Sequence, residues 1–276
     1  MATDNQTQTS STTEAYRATQ YLLRRLAPPA LYYRARTMVR EHPLLFLPLS
    51  RWRWSRWRSK YCPDTTGPEP AAPEPVVRDT EIVIEGFPRM ANTFAHVAFK
   101  MAQTRPVKIG HHTHAPAQIV AAVKMGIPTI AIIREPEQAI VSYLVGDFDP
   151  ELSIEQSLRE YISFYKTILP YKKRLIFAPF EEITSDYGKT IQRVNQKFET
   201  SFQEFIHDDQ NVEKCFKLID EGYQMAFGEL SEAVISRPAE SREKLTEKIK
   251  QEFNSEAFLN LREKAYNLYR EATSNA

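Results

Sequence analysis

Cysteine is nearly absent from this chain: Cys62 and Cys215 are the two cysteines in 276 residues. Two cysteines exclude a disulfide framework and a cysteine-rich zinc site. Long apolar runs are also missing, because the most apolar stretch, residues 44–49 (LLFLPL), is interrupted by Pro48 and is far shorter than the ~18 residues of a membrane span. Residues 1–15 show no basic segment followed by an apolar one, so a secretory signal is not expected. We therefore expect a cytoplasmic globular protein, in keeping with 42% hydrophobic and 26% charged residues.

Positive charge is concentrated at the start of the chain. Residues 1–60 hold eleven Lys/Arg and three Asp/Glu, a net charge of +8 in a protein whose net charge is +1, so the remainder is acidic. Residues 51–60 (RWRWSRWRSK) interleave five basic residues with all three tryptophans. One interpretation is a basic helix packed on the acidic part of the chain, with its tryptophans buried there. Another is peripheral contact of residues 44–60 with an anionic membrane. Nucleic-acid binding is a weaker third interpretation, because no known binding module is visible.

Composition divides the chain into four segments. Residues 1–15 are rich in Thr, Ser, Asn and Gln, which predicts a disordered tail. Residues 16–62 form a basic, Trp-rich region in which prolines punctuate predicted short helices. Residues 63–76 carry five prolines and are typical of an extended linker. The main domain is predicted over 77–276, with no internal repeat.

The main domain alternates strands and helices. Three consecutive strand–turn–helix units predict a parallel sheet covered by helices, a P-loop-like three-layer α/β/α fold with an N-terminal helical appendage. The predicted strands are residues 81–85, 106–110, 127–133 and 174–180; the predicted helices cover about 93–103, 116–125, 136–144 and 153–169, with further helices to the C-terminus. In such sheets ligands bind at the carboxyl ends of the strands. That rule selects the turns at 86–92, 111–115 and 134–136.

Two of these turns have residues that suit an anion. The first turn leads into a helix N-terminus and carries Arg89 and Thr93, so free backbone N–H groups, a guanidinium and a hydroxyl are available to a phosphate or sulfate. The third has Arg134 at the end of an apolar strand and Ser142 two helical turns later, a pair that suits a phosphate monoester. The pattern GxxxxGK[ST] is absent, which disfavours ATP- or GTP-dependent phosphoryl transfer. Ordinary turns with surface arginines are the alternative.

Three short segments in this order resemble the sulfotransferases that use 3′-phosphoadenosine 5′-phosphosulfate (PAPS). PRMANTF (88–94) is similar to the family's 5′-phosphosulfate loop, THAP (113–116) to its THxP element, and REPEQAIVS (134–142) to its 3′-phosphate element. The resemblance covers about residues 80–205. It implies transfer of a sulfuryl group from PAPS to an acceptor hydroxyl or amine of a carbohydrate, lipid or small metabolite. The product would be adenosine 3′,5′-bisphosphate (PAP), and no metal is expected.

The resemblance also implies a role for each matching residue. Arg89 would contact the transferring group and stabilise charge on the leaving phosphate. Arg134 and Ser142 would hold the 3′-phosphate, and Phe94 and Phe180 would lie beside the adenine. Arg237, with Arg242, is a candidate for the family's C-terminal phosphate element. The donor-binding set is Pro88, Arg89, Met90, Ala91, Asn92, Thr93, Phe94, Arg134, Ser142, Phe180 and Arg237.

His114 occupies the position of the family's catalytic base, which takes a proton from the acceptor hydroxyl. His112 is the alternative, since it lies two residues away in the same turn. Zinc binding by His111, His112 and His114 ranks below both, because no acidic or cysteine residue lies at ligand spacing.

Three departures from the family's pattern bear on the donor site. Met90 replaces a small polar residue, Ala91 replaces glycine, and Phe180 lacks the hydroxyl of the family's tyrosine. If the backbone at position 91 needs a positive φ, Ala91 would be strained there. The acceptor side is expected near Tyr143, with Tyr161, Phe164 and Tyr165 as core or pocket residues. The competing hypothesis is a non-catalytic nucleotide- or anion-binding module that docks a membrane or protein partner.

Overall fold

The computed structural model describes residues 28–61, 73–146, 151–227 and 242–274. The predicted disordered tail (1–15), most of the predicted linker (63–76) and Arg237 lie outside these ranges. Among the described residues, four strands form one sheet: β1 (Ile82–Gly86), β2 (Ile109–His111), β3 (Thr129–Ile133) and β4 (Ile176–Pro179). The order is β2-β1-β3-β4 and every pairing is parallel.

Eleven α-helices surround this sheet within the described ranges. They are α1 (Pro29–Glu41), α2 (Pro43–Tyr61), α3 (Asn92–Ala102), α4 (Pro116–Met125), α5 (Pro136–Val145), α6 (Ile154–Ile168), α7 (Phe180–Ser185), α8 (Tyr187–Phe198), α9 (Asp209–Phe227), α10 (Glu243–Phe253) and α11 (Leu259–Thr273). All five residues of β1 and all five of β3 are buried, so both faces of the central strands are covered. The predicted α/β fold with a parallel sheet and N-terminal helices is confirmed.

Local sequence signals place the helix ends near the strand ends. Helix α4 begins with Pro116 and ends at Gly126, which has a left-handed φ of 76°, the expected roles of proline and glycine at these positions. Helix α6 begins with a capping box between Ser153 and Gln156, in which each side chain satisfies a backbone N–H of the first turn.

Gly86 ends β1 where no side chain fits. A Cβ atom there would lie 2.8 Å from the carbonyl oxygen of Ile132 and 3.0 Å from Oδ1 of Asn92. The start of α3 therefore lies directly against the end of β1 and beside β3. This close approach brings the turn after β1 next to the turn after β3.

The N-terminal region is helical over 29–61 and packs on the main domain. Tyr33 of α1 and Leu47 of α2 are buried; α1 packs against α6, and α2 packs against α4. Trp52, by contrast, is 61% exposed, so the interpretation that the tryptophans are buried against the domain does not hold for this residue. Within the described residues, no helix has the length and apolarity needed to cross a membrane.

The end of the Pro-rich segment is attached to the sheet. Glu74 and His111 form an antiparallel bridge, with N–H···O distances of 2.9 and 3.0 Å. The backbone N–H of Val76, a fully buried residue, donates to Oε1 of Gln118 at 2.9 Å. The chain thus joins the main domain beside β2, next to the turn that holds the candidate base.

Candidate functional site

The turns after β1 and β3 meet at the carboxyl edge of the sheet. Nε of Arg89 donates to Oγ of Ser142 at 3.3 Å, and Nη1 of Arg134 donates to the carbonyl oxygen of Arg89 at 3.4 Å. These contacts join residues 45 and 53 positions apart in sequence. Because β1 and β3 are hydrogen-bonded neighbours, their carboxyl ends bring the three predicted anion-binding residues to one place.

Positive charge accumulates at this place. Burial lowers the pKa of Arg89, and the charges of Arg242 and Arg134 lower it further, while the Tyr223 hydroxyl opposes them. Arginine nonetheless keeps its charge in proteins, so the guanidinium of Arg89 is repelled by those of Arg134 and Arg242. An anion with several charges would relieve that repulsion. Arg242, which precedes α10, is one of the two candidates for the C-terminal phosphate element, whereas Tyr223, in α9, was not predicted from the sequence.

Arg134 is held from both sides. Its guanidinium lies 3.9 Å from the ring centroid of Phe180, and its Nε donates to Oε1 of Gln138 at 3.2 Å. The hydroxyl of Tyr161 donates to its carbonyl oxygen at 2.8 Å. Burial lowers the pKa of Arg134, while Glu181 and Glu135 oppose that shift. Phe180 therefore lies beside the predicted 3′-phosphate residue, as a face on which the guanidinium stacks.

The loop between β1 and α3 has an unusual backbone. Arg89 and Ala91 have left-handed φ angles of 67° and 59°, and each costs a non-glycine residue roughly 1–2 kcal/mol. The positive φ anticipated at position 91 is thus present, and alanine adopts it. Met90 and Phe87 point into the core and are buried, while Pro88 is partly exposed.

Besides Met90, two of the predicted donor-binding side chains are turned inward, those of Asn92 and Phe94. Nδ2 of Asn92 donates to the carbonyl oxygen of Phe87 at 2.9 Å, so this amide closes the loop. Phe94 is buried, with Phe205, Phe216 and His207 around its ring. Neither side chain faces the arginines in this conformation. Tyr143, Tyr161, Phe164 and Tyr165, predicted as core or pocket, are also buried and belong to the core.

His114 has one ring nitrogen fixed by the fold. Its Nδ1 lies 3.0 Å from the carbonyl oxygen of Gly86; a carbonyl can only accept, so Nδ1 carries the proton and Nε2 is left as an acceptor. Burial lowers the pKa of His114 to about 4, and the charge of Arg40 adds to this, against the hydrogen bond to Gly86. The imidazole is therefore neutral at pH 7, and Nε2 is the acceptor nitrogen that a general base needs. The side chain is 28% exposed.

His112 has both ring nitrogens occupied. Nε2 lies 3.0 Å from Oγ1 of Thr93, and Nδ1 lies 2.7 Å from Nδ1 of His111. Burial lowers its pKa well below the usual value, and the charges of His111 and His114 lower it further. His112 therefore connects the histidine turn to the first turn of α3. The hydrogen bonding favours His114 over His112 as the base.

A buried carboxylate, which the sequence analysis did not predict as a site residue, lies beneath the histidine turn. Glu85, in β1, is fully buried and accepts hydrogen bonds from the backbone N–H and hydroxyl of Thr113, both at 2.8 Å, and from Gln118 at 3.2 Å. Burial raises its pKa to about 7, while these bonds and those from the Gly86 and His114 backbones lower it. An acidic residue at the end of an otherwise apolar strand was the available signal.

Helix α1 also reaches this turn. Nη2 of Arg40 donates to the carbonyl oxygen of His114 and lies 3.4 Å from that of Thr113. One helical turn earlier, Arg36 forms an ion pair with Glu160 at 2.8 Å. Partners so distant in sequence leave no local signal, so pattern reasoning could not identify Arg40.

The histidines contact one another. The rings of His96 and His111 stack with centroids 3.7 Å apart. In the part of the chain that the structure describes, no group of three or more His, Cys, Asp and Glu side chains is placed to hold a metal ion.

The chain forms a parallel α/β domain in which Arg89, Arg134 and Ser142 lie together at the carboxyl edge of the sheet. No protein-family model and no curated protein matches the chain in sequence. Among solved structures, the mouse sulfotransferase SULT7A1 in complex with PAP matches with a TM-score of 0.38 and 12% identity, over 68% of this chain and 90% of that one.

Buried His96 provides a test of the histidine cluster. Burial lowers its pKa well below the usual value, so its contribution to stability is present above the unfolded-state pKa of ~6.5 and is lost as pH falls below that value. His96→Phe removes this titration and keeps an aromatic ring. Between pH 6.5 and 5 we expect wild-type protein to lose up to about 2 kcal/mol more unfolding free energy than the variant.

Urea unfolding at pH 8, 7, 6.5 and 5 measures this difference. Between pH 8 and 7 the two proteins should change in parallel, which is the internal control. Glu85 acts with the opposite sign in both, because a raised pKa gives stability that is lost as pH rises through about 7. Parallel curves down to pH 5 would contradict the assignment of a depressed pKa to His96.

Proposed function

We propose that this protein is a sulfotransferase that moves a sulfuryl group from PAPS to a hydroxyl or amine of a carbohydrate, lipid or small metabolite. The observation that carries the proposal is the convergence of Arg89, Arg134 and Ser142 at the ends of two adjacent parallel strands. A donor with phosphates at two positions needs two anion contacts close together. The sequence resemblance assigns these residues to those two contacts.

Donor binding would use the polar groups already gathered at this edge. Ser142 and Arg134 would hold the 3′-phosphate, and Arg89 with Thr93 and the N-terminus of α3 would hold the 5′-phosphosulfate. The hydroxyl of Ser142 now accepts from Arg89, so a phosphate oxygen can take its place as the acceptor. Binding would also relieve the repulsion among the arginines.

Residues of the chain can take the proton that the acceptor loses and stabilise the negative charge that forms on the leaving phosphate. As a bond forms between the acceptor oxygen and sulfur, the bond from sulfur to the bridging oxygen breaks, and PAP leaves. The acceptor proton passes to Nε2 of His114, and Arg89 stabilises the charge on the leaving phosphate. Oε1 of Glu85 lies 3.5 Å from Nδ1 of His114. When ionised, Glu85 would stabilise the imidazolium that forms.

A non-catalytic nucleotide- or anion-binding module is the second candidate. The inward placement of Phe94, which packs against Phe205 and Phe216, favours it, because the turn then lacks an aromatic side chain for adenine. Both candidates bind PAP. Only the sulfotransferase transfers labelled sulfate.

PAP binding tests the anion site. At a hundredfold excess over its Kd, a ligand stabilises the folded state by ~2.7 kcal/mol, so PAP should raise the Tm by roughly 5–10 °C. Arg134→Ala should abolish this shift. Arg159→Ala is the control, since Arg159 is an exposed residue of α6 paired with Glu155. An absent shift in wild-type protein, or an equal shift in Arg134→Ala, would contradict the proposed site.

His114→Ala tests the assignment of the base. The expected effect is a loss of about 10²–10⁴-fold in turnover with PAP affinity unchanged, because the imidazole acts on the acceptor. Transfer from labelled PAPS to lipid, glycan and phenolic acceptor pools is the measurement, with the exposed His42→Ala as control. Equal loss of turnover and PAP binding would contradict the assignment. Binding of PAP without transfer to any pool would favour the non-catalytic module.

A further inference from the structure

Helix α2 has an apolar face that the domain does not cover. Its inner side places Leu47 against Val76, Val83, Ala121 and Ala122. Its outer side carries Leu44, Leu45, Leu49 and Trp52 at exposures of 90%, 53%, 58% and 61%. We call these four residues the outer face. The spacing 45, 49 and 52 places these three residues on one side of the helix. The helix therefore has apolar side chains on its solvent side as well as on its inner side.

All charged residues of the same helix are basic. Between Pro43 and Tyr61 there are five basic residues and no acidic one. Arg53, beside Trp52, is exposed, whereas Nη2 of Arg51 donates to the carbonyl oxygen of Val76 at 2.5 Å. The sequence adds Arg56, Arg58 and Lys60 in the following turns. Exposed helices of soluble domains usually mix charges of both signs. Apolar and basic residues are interleaved around α2 rather than separated onto opposite faces. Exposed leucines, a tryptophan and basic residues on one helix are features that membrane-surface binding uses.

We propose that the outer face of α2 docks on the surface of an anionic lipid bilayer. Leucine side chains with a tryptophan match the acyl and headgroup boundary, and the basic residues match anionic headgroups. A nucleic acid offers phosphates and base faces but no apolar partner for the three leucines. A second copy of the chain would bring two basic helices together, which like charge opposes. Leu31 and Met38 of α1 are also more than half exposed.

Vesicle co-sedimentation of the full chain tests this docking. Wild-type protein should sediment with phosphatidylserine–phosphatidylcholine vesicles, less with phosphatidylcholine alone, and less again at high salt. Substituting Leu44, Leu49 and Trp52 by serine should reduce the bound fraction at least about tenfold. The control substitutes Ile206, Leu245 and Leu259 by serine, which are exposed apolar residues on other elements.

The co-sedimentation results distinguish bilayer docking from other occupants of the outer face. Loss of binding in the α2 variant alone, with an unchanged Tm, supports docking. Equal binding by the α2 variant and the control overturns it. Binding of single-stranded RNA without vesicle binding, or a dimer that the α2 substitutions abolish, also overturns it, because each identifies a different occupant of the outer face.

The contact between α1 and the histidine turn supports a second inference. It is separate from the membrane proposal and rests on the proposed function. Helix α1 lies outside the segment that resembles the sulfotransferases, yet Arg40 donates to the carbonyl oxygens of His114 and Thr113. His112 and His114 both have left-handed φ angles, 55° and 49°. A turn with two such residues persists only where surrounding contacts fix it.

We infer that Arg40 is a positioning residue for His114. Glu85 holds this turn through the N–H and hydroxyl of Thr113, and Arg40 holds it through the carbonyls on the other side. The contact fixes the peptide from which the imidazole extends. The charged and titratable groups near the ring are Glu85, His112 and Arg40. Of these, Arg40 contributes a permanent positive charge.

Arg40→Met keeps the length of the side chain and removes both its hydrogen bonds and its charge. Turnover of labelled PAPS should fall about 10–100-fold with PAP affinity unchanged, and Arg40→Lys should recover part of the loss. Because the Arg40 charge lowers the pKa of His114, the acidic limb of the rate profile should move to higher pH in Arg40→Met. Arg34→Met, on the exposed side of α1, is the control.

NMR titration of the His114 ring separates this inference from the proposed function. A higher His114 pKa in Arg40→Met than in wild-type protein and Arg34→Met supports the positioning role even if no acceptor is found. Unchanged His114 titration together with unchanged turnover overturns it. Loss of PAP binding in Arg40→Met also overturns it, because that result assigns Arg40 to donor-site folding.

Discussion

The site depends on one buried carboxylate at the end of β1. Glu85 has no exposed surface, and removing an ionised carboxylate from water costs several kcal/mol unless hydrogen bonds compensate. Here they come from Thr113, Gln118 and Gly86, which are the groups that fix the histidine turn to the sheet. The group that anchors the turn is thus also the group that can stabilise a charged His114. The same hydrogen bonds therefore hold the histidine turn in place and keep Glu85 beside the ring of His114.

Several unfavourable features are collected around this anchor. Arg89 and Ala91 on one turn, and His112 and His114 on the other, adopt left-handed backbone conformations without glycine. Guanidinium groups repel one another at the same edge. Such strain persists where rigid surroundings impose it, and here the surroundings are fully buried strands and tyrosines that hydrogen-bond to the end of β3. The core keeps the site in a geometry that an anion would relax.

The sequence predicts the strands and turns that form this site better than it predicts the residues that hold the turns in place. Apolar strands buried on both faces leave a clear pattern, and the carboxyl ends of neighbouring parallel strands must meet, so the proximity of Arg89, Arg134 and Ser142 follows from order and spacing. Glu85 and Arg40 do not follow, because their importance depends on contacts across the fold. For Phe94, the sequence pattern and the packing point to different roles. Its position in a motif implies a ligand contact, while packing against α9 turns its ring inward.

The N-terminal region explains why positive charge is uneven along the chain. Arg36 and Arg40 of α1 are used inward, on Glu160 and on the carbonyls of the histidine turn, so part of the basic excess stabilises the main domain. Helix α2 exposes Arg53 beside leucines that are also exposed, and its sequence continues with Arg56, Arg58 and Lys60. The basic excess is thus used inward by α1, and under the proposed docking it would be used outward by α2. Because α1 and α2 pack together, a surface that binds the outer side also holds the helix that carries Arg40.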